Sequence, residues 1–358
     1  MKVLVLSRYG QQGASSRMRF FQYLPELGRA GLECEVSPLI DDAMLRRKYQ
    51  RGSYGALALP IAYWRRIRML LARGRYDLLW IEKECLPWFP AWLERLLLRG
   101  RPYVLDFDDA IFHNYDLHRS ALVRRLFGRR IDRLMQGAQM VVAGNRYLAE
   151  RATAAGARWV EVVPTVVDAD RYAAKTSYAG AQPPRIVWIG SPSTASYLQD
   201  LAAPLRALAE RAPFRLRVIG SGALSLPGVD LELLPWSADT EARLVAECDI
   251  GIMPLRDTPW ERGKCAYKLI QYMACGLPVV ASPVGANREV VAEGVSGFTA
   301  GCADAWLAAL ERLLGDAALR QRLGQAGRRR VEETYCLQQA APKMLGLLTA
   351  AGEHRCAA

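Results

Sequence analysis

The sequence predicts an α/β protein of two domains, each built on a parallel sheet. Three observations carry that expectation. A chain of 358 residues is long for a single core and suits two domains of about 170 residues each. Short apolar runs of the kind found in parallel strands covered on both faces, at residues 3–6, 185–190 and 279–281, alternate with helical patterns. The alternation restarts after residues 173–184, whose Ala, Lys, Thr, Ser, Gly and Pro have linker composition. The expected division is 1–172, a linker at 173–184, a second domain at 185–335 and a closing helix at 336–358.

The first strand opens into a turn at Gly10 and Gly13, where bare backbone permits close approach. Ser15, Ser16, Arg17 and Arg19 then supply donors at a helix start. Such a turn either receives an anion or is a serine-capped strand–helix connection. Residues 43–76 carry nine Lys/Arg and no acidic residue, mixed with aromatic and aliphatic side chains. That is the composition of a helix lying in a lipid interface, and equally of a solvated basic face over a core helix. Trp88, Phe89 and Trp92 add further aromatic bulk. Strands are expected at 76–84 and 103–110, with Asp106, Asp108 and Asp109 where the second one ends. That edge is where parallel sheets bind ligands. Three carboxylates so close together stay ionised only if a cation or hydrogen-bond donors attend them. Residues 117–133 are basic again, and 140–145 form a strand and turn.

In the second domain, the strand at 185–190 leads through the turn at Gly190, Ser191 and Thr194 into a helix at 197–211. Residues 261–282 then show loop, helix, sharp stop and buried strand. On a helical wheel Glu261, Lys264, Lys268, Gln271 and Cys275 share one face, while Ala266, Leu269, Ile270 and Met273 point inward. Gly276 suits a left-handed C-cap, and Pro278 prevents continuation. Two lysines in a first helical turn add their charge to the positive end of the helix dipole, a seat for an anion. The same pattern also describes a surface helix with its lysines in water.

The run Lys-Leu-Ile-Gln-Tyr-Met-Ala-Cys-Gly-Leu-Pro-Val-Val from Lys268 to Val280 resembles the donor-site segment of family 4 retaining glycosyltransferases. These are two-domain GT-B enzymes that transfer a sugar from a nucleoside diphosphate. The family pattern has two Glu separated by seven residues. Here Gly263 and Gln271 stand at those positions, so the chain is similar to a subgroup with Gly-Lys-x-x-x-Lys-Leu-x-Gln. The resemblance implies two Rossmann-like domains facing a cleft, with the chain crossing back to the first domain at Tyr335. It implies that Gln271 meets the ribose with an amide in place of a carboxylate, and that Glu261 substitutes for the acid missing near the transferred sugar. Gly13, Ser15, Ser16, Arg17 and Arg19 would lie near donor phosphate and acceptor. Asp108 and Asp109 fall where the family has a His-Asp pair, and are expected to contact sugar hydroxyls. Many members carry an Arg and a Lys after the first strand of the second domain, and this chain has neither. Lys264, Lys268, Arg262, Gly190, Ser191, Thr194 and Asn287 would then meet the diphosphate with side-chain charge and backbone donors. Asp106-Phe-Asp108 also resembles the metal-binding Asp-x-Asp of the other glycosyltransferase architecture. With Ala110 in place of Thr it resembles, too, the nucleophile motif of haloacid-dehalogenase-like phosphatases. The C-terminal half fits neither.

Composition sets the outer bounds. Hydrophobic content of 51% with 23% charged residues is globular. No apolar run reaches the ~18 residues that span a bilayer, and the N-terminal run is interrupted too soon for a signal peptide. Eight cysteines are scattered singly without ligand-pair spacing, which fits reduced thiols and argues against zinc. The net charge of +12 sits in the first half: residues 1–165 hold 27 Lys/Arg against 16 Asp/Glu, and residues 166–358 hold 21 against 20. That half is expected to touch something anionic. No nucleic-acid reader motif accompanies the charge.

The expectation is a cytoplasmic retaining glycosyltransferase, peripheral at the inner face of an anionic membrane. It would use a nucleoside-diphosphate sugar donor and a sugar or lipid-linked acceptor such as a surface polysaccharide precursor. No metal, cofactor or nucleic acid is expected. Two rival readings stand beside it: a degenerate nucleotide-sugar-binding protein, favoured by the changes at 263 and 271, and a GT-B-type sugar-nucleotide epimerase.

Overall fold

Strand β1 (Lys2–Leu6) buries every residue after Lys2, and β3 (Leu78–Glu82) and β4 (Tyr103–Phe107) bury all of theirs. Strands this apolar need cover on both faces, the situation of a parallel sheet flanked by helices. With β2 (Glu33–Val36), β5 (Met140–Ala143) and β6 (Val160–Val162) they form a six-stranded sheet in the order β2-β1-β3-β4-β5-β6. All its pairings are parallel, with Val3 opposite Leu78 and Glu82 opposite Asp106. The structure, a computed structural model, describes residues 1–178 and 183–353.

The second sheet comprises β7 (Arg185–Ile189), β8 (Arg215–Ile219), β9 (Leu231–Leu234), β10 (Ile250–Met253), β11 (Val279–Ala281) and β12 (Gly297–Thr299). Its order is β12-β11-β10-β7-β8-β9, again parallel throughout. Alternate residues of β7 feed opposite cores: Val187 and Ile189 pack with Leu269 and Ile270, while Ile186 and Trp188 pack with Leu216 and Val218. In each sheet the strand order reverses beside the first strand, between β1 and β3 and between β7 and β10. The carboxyl ends of strands at such reversals are where open α/β sheets hold ligands. The two-domain parallel α/β class expected from the sequence is the class found.

The chain divides into two compact units. One comprises Met1–Thr165, Gly263–Cys265 and the chain from Ala340, and the other Val166–Arg262 and Ala266–Gln339. The division thus falls ahead of the linker expected at 173–184, of which residues 179–182 lie outside the described residues, as do 354–358 of the closing helix. Val167 is tied into the second unit: its N–H donates to Tyr335 O (3.0 Å), and its carbonyl accepts from Leu337 N–H (2.8 Å).

Residues 261–282 depart from the helix expected there. Pro259–Arg262 makes one turn, Gly263–Cys265 leaves helical geometry, and Tyr267–Ala274 starts a second helix. Ala266 between them has φ 53°, a left-handed conformation that disfavours an L side chain by about 1–2 kcal/mol. Glu261 and Lys264 therefore do not share a helical face with Lys268, and only Lys268 lies in the first turn. The inward set of Ala266, Leu269, Ile270 and Met273 is buried, and Gly276 ends the helix at φ 75°.

Candidate active site

In the first unit the acidic cluster is organised by a lysine that the sequence did not single out. Lys83 follows β3 directly, with its N–H donating to Asp106 O (3.0 Å) and its φ at 64°. That turn aims its ammonium at the end of β4, where Nζ lies 2.7 Å from Asp108 Oδ1 and 3.4 Å from Asp109 Oδ2. Ser15 Oγ donates to Asp108 Oδ2 (2.5 Å) and accepts from Lys83 Nζ (3.1 Å). Burial pushes the Asp108 carboxyl up, but Lys83 and the Ser15 hydroxyl outweigh it and hold the group below the usual carboxylate range. Asp109 moves the other way: burial raises it, and the neighbouring Asp108 charge adds to burial against the pull of Lys83 and Lys264. Two adjacent carboxylates thus differ in proton affinity, and Asp109 is the more open, at 32% side-chain exposure. The cue in the sequence was Lys83 itself, a charge placed just past a fully buried run and beside the strand that ends at Asp106.

Several residues expected to bind ligand are engaged in structure instead. Arg19 is buried, with Nε 2.7 Å from Asp106 Oδ1 and Nη1 donating to Val163 O (2.8 Å). Its charge balances Asp106, whose carboxyl burial still pushes up to about 6. Ser16 is buried as well, donating to Glu82 Oε2 (2.6 Å) and accepting from Tyr9 N–H (3.0 Å). For these two the expectation of surface donors is corrected: both side chains point into the sheet. Gly13 opens the helix Ala14–Ser16, and a Cβ there would lie 2.3 Å from Tyr9 Cβ. Arg17 is half-buried, with Nη1 3.5 Å from Gln11 O.

Gly263–Cys265 belongs to this unit. A Cβ on Gly263 would lie 2.4 Å from Ala110 Cβ, so no larger residue fits without displacing the turn after Asp109. Asn145, which caps the helix Arg146–Ala154 through Oδ1, uses Nδ2 to donate to Lys264 O (3.0 Å). Cys265 Sγ donates to Asp108 O (3.2 Å). Lys264 is thereby held beside the acidic pair by its backbone.

In the second unit the corresponding edge is built from neutral donors and one lysine. Lys268 Nζ sits 4.3 Å above the centre of the Trp188 ring. A Cβ on Gly190 would lie 2.8 Å from Lys268 Nζ and 2.4 Å from the Trp188 ring, so only glycine lets the backbone pass this close to the ammonium and the indole. Ser191 and Thr194 close on each other: Ser191 N–H donates to Thr194 Oγ1 (3.2 Å), which donates to Ser191 O (3.0 Å). Glu261 is buried in the same unit and accepts from Tyr197 O–H (2.5 Å) and from the Thr258 hydroxyl. A carboxylate has about four lone-pair sites, so two remain. Arg262 is exposed and paired with Asp257 (2.6 Å).

Gln271 is 2% exposed, and its Nε2 donates to Tyr172 O–H (2.9 Å). That hydroxyl lies 3.5 Å from Glu241 Oε1, and Trp236 Nε1 donates to Glu241 Oε2 (2.7 Å). Asn287 is buried, its Nδ2 donating to Ser282 O (3.0 Å). Its side chain therefore secures the turn after β11. Among the described residues no group of three or more His, Cys, Asp and Glu is arranged to hold a metal ion.

Comparison with known proteins follows the same division. The description "Glycosyl transferase 4-like domain" matches residues 11–166, and "Glycosyl transferases group 1" matches residues 183–316. Sucrose-phosphate synthase from Thermosynechococcus elongatus is similar in structure at TM-score 0.73, with 14% identity over 98% of each chain. Anabaena HepE in complex with UDP-glucose aligns at TM-score 0.72, with 18% identity over 98% of this chain and 100% of that one. A glycosyltransferase from Rickettsia africae aligns at 0.69, with 13% identity over 99% of each. At these identities the structural likeness speaks for the fold. No curated protein matches in sequence. The two family descriptions take successive halves of the chain, and by them the protein belongs to the group 1, family 4-like glycosyltransferases.

Proposed function

We propose that the chain transfers a glycosyl group from a nucleoside-diphosphate sugar to an acceptor with retention of anomeric configuration. The observation that carries this reading is the Lys268 ammonium packed against Gly190, at the carboxyl end of β7 where the strand order reverses. An ammonium at the carboxyl end of a strand, where such sheets hold ligands, suits a diphosphate oxygen. As the bond to the sugar breaks, negative charge builds on the departing diphosphate. Fixed positive groups then lower the barrier without a strong base. Lys268 takes that role, joined by Lys264, Arg262 and backbone donors around Ser191, Thr194 and Asn287.

Asp108 and Asp109, with Lys83 between them, contact the sugar hydroxyls: an ionised Asp108 accepts, and the more open Asp109 accepts or shares a proton. Glu261 and Gln271 stand at the sugar and ribose ends through the groups they hold, Tyr197 and Tyr172. UDP and UDP-glucose bound to Anabaena HepE support a uridine nucleotide sugar as the first donor to try. The basic first half supports an acceptor carried at the inner face of an anionic membrane, a lipid-linked glycan or polysaccharide precursor.

The test is nucleoside diphosphate release from a panel of sugar nucleotides, with and without lipid extract. Release that needs both donor and acceptor is the expected result. A changed sugar nucleotide with no acceptor present supports the epimerase instead, and binding without release supports the non-catalytic protein.

A further inference from the structure

The helix Ala58–Leu71 is built inside out. Its buried face consists of Ala62, Arg66 and Leu70, with Arg66 Nη2 donating to the carbonyls of Ser7 (2.7 Å) and Ser37 (2.9 Å). Its solvent face carries Leu57, Ile61, Trp64 and Leu71, at steps that keep to one side of a helix. Ile61 is 59% and Trp64 58% exposed. An ordinary surface helix turns its apolar stripe to the core and its charges outward. This one keeps a stripe on each side and places an arginine within.

The helix Ala121–Phe127 repeats the theme. None of its residues is buried, and Leu122 and Leu126, one turn apart, are 65% and 62% exposed. The two helices are joined through the loop between them. Tyr63 O–H donates to Pro87 O (2.9 Å), and its ring lies 5.3 Å from Phe89. Trp88 N–H donates to Tyr115 O–H (3.1 Å), and the Trp88 ring lies 5.0 Å from Tyr115 and 5.8 Å from His118. Arg130 braces that loop from beneath, donating to Leu86 O (2.7 Å) and pairing with Glu84 (3.1 Å) and Glu94. Trp88 is therefore held half-exposed in a left-handed conformation, φ 65°.

Charge decides what covers this belt. Residues 43–76 and 117–131 contain no Asp or Glu, and Arg46, Arg47, Arg51, Arg68, Arg125 and Arg129 are exposed on them. Exposed Trp, Ile and Leu mixed with arginine are the chemistry of a segment lying at the headgroup level of an anionic bilayer, rings among the glycerol groups and guanidinium ions on the phosphates.

We propose that the outer faces of the Ala58–Leu71 and Ala121–Phe127 helices, with Trp88 between them, form a docking surface for an anionic phospholipid bilayer. Trp88 follows β3 and the Ala121–Phe127 helix follows β4, as Lys83 and Asp109 do, so docking through them brings the carboxyl edge of the first sheet towards the lipid surface. The proposal rests on the glycosyl-transfer reading only for the use made of that nearness.

The experiment is vesicle flotation of the whole chain with phosphatidylcholine alone and with phosphatidylcholine plus phosphatidylglycerol. It compares the wild type with I61S/W64S/L122S/L126S. The wild type is expected to float only with the anionic vesicles. The variant should lose about tenfold or more in partition, since each large apolar side chain withdrawn from water contributes on the order of one such factor. Helical circular dichroism and the thermal shift produced by a sugar nucleotide in vesicle-free buffer should stay at the wild-type level. Equal flotation on both vesicle types, no wild-type flotation, or an unaffected variant would each overturn the proposal. So would a wild-type dimer in solution that the variant converts to monomer, because a second copy would then be what covers the face. Flotation is read without donor, so its failure leaves glycosyl transfer standing, and the reverse also holds.

Discussion

The two units share a six-stranded parallel sheet and differ in how they satisfy buried polar groups at its carboxyl edge. The first uses opposite charges: Arg19 on Asp106, Lys83 on Asp108 and Asp109, Arg130 on Glu84 and Glu94. The second uses neutral donors: Tyr197 on Glu261, Gln271 on Tyr172, Asn287 on Ser282. A buried ion pair is balanced only while both partners remain, so the first edge is sensitive to single changes and to pH. A hydroxyl or amide network gives up less when altered, and Lys268 adds a positive charge over the Trp188 ring at that edge. The edge proposed to hold sugar is already neutralised, whereas the edge proposed to hold diphosphate is positive.

Removing one side of an ion pair is the strongest way to break this contrast. K83M should lower stability by about 3–5 kcal/mol, the range for stranding a buried charge, read as a shift in the urea midpoint. It should also move the acid limb of kcat/KM upward by about a unit or more, because burial is then opposed at Asp108 only by the Ser15 hydroxyl and Arg19. The sign for the intact protein follows from its depressed carboxyl. The stability that Asp108 contributes is complete above the unfolded carboxylate value near 4, and it is lost as pH falls through the lower folded value. An unchanged pH profile in K83M would dissolve the distinction between the two edges.

K268A should leave the thermal midpoint within a few degrees of wild type and reduce kcat/KM by about 2–4 kcal/mol in transition-state terms, and K264A is expected to behave alike. Full activity in both would remove the diphosphate seat. Q271E asks whether the neutral network needs its amide. Tyr172 has one hydroxyl proton, and a carboxylate at 271 would compete with Glu241 for it. A loss of about 1–3 kcal/mol that grows with pH is expected from urea denaturation at several pH values. A266G should have the smallest effect. Relief of the left-handed backbone is offset by the greater freedom of glycine in the unfolded chain, so the net change should stay within about 0.5 kcal/mol.

What was legible in the sequence was whatever depended on local pattern. Runs such as residues 3–6 and 279–281 announced buried parallel strands, and Gly276 with Pro278 announced the helix end. The break at Ala266 was not legible, because nothing in Glu-Arg-Gly-Lys-Cys-Ala interrupts a helical wheel. Its cause is tertiary: Gly263 fits against Ala110, and Lys264 O is taken by Asn145, both far away in the chain. Arg19 and Ser16 looked like ligand donors because a turn rich in Ser and Arg has the same composition whether it faces solvent or the sheet. Only the pairing partners, Asp106 and Glu82, decide between them.

The first unit is assembled from three separate stretches of polypeptide. A ribosome that has released Thr165 has not yet made the strap that occupies Asn145 Nδ2, nor the closing helix whose Gly352 backs onto Met1. Vectorial synthesis therefore cannot finish the N-terminal module first. Its last piece arrives only after the second unit has been made, and a fragment cut at Thr165 would emerge with uncovered apolar surface and collect in inclusion bodies.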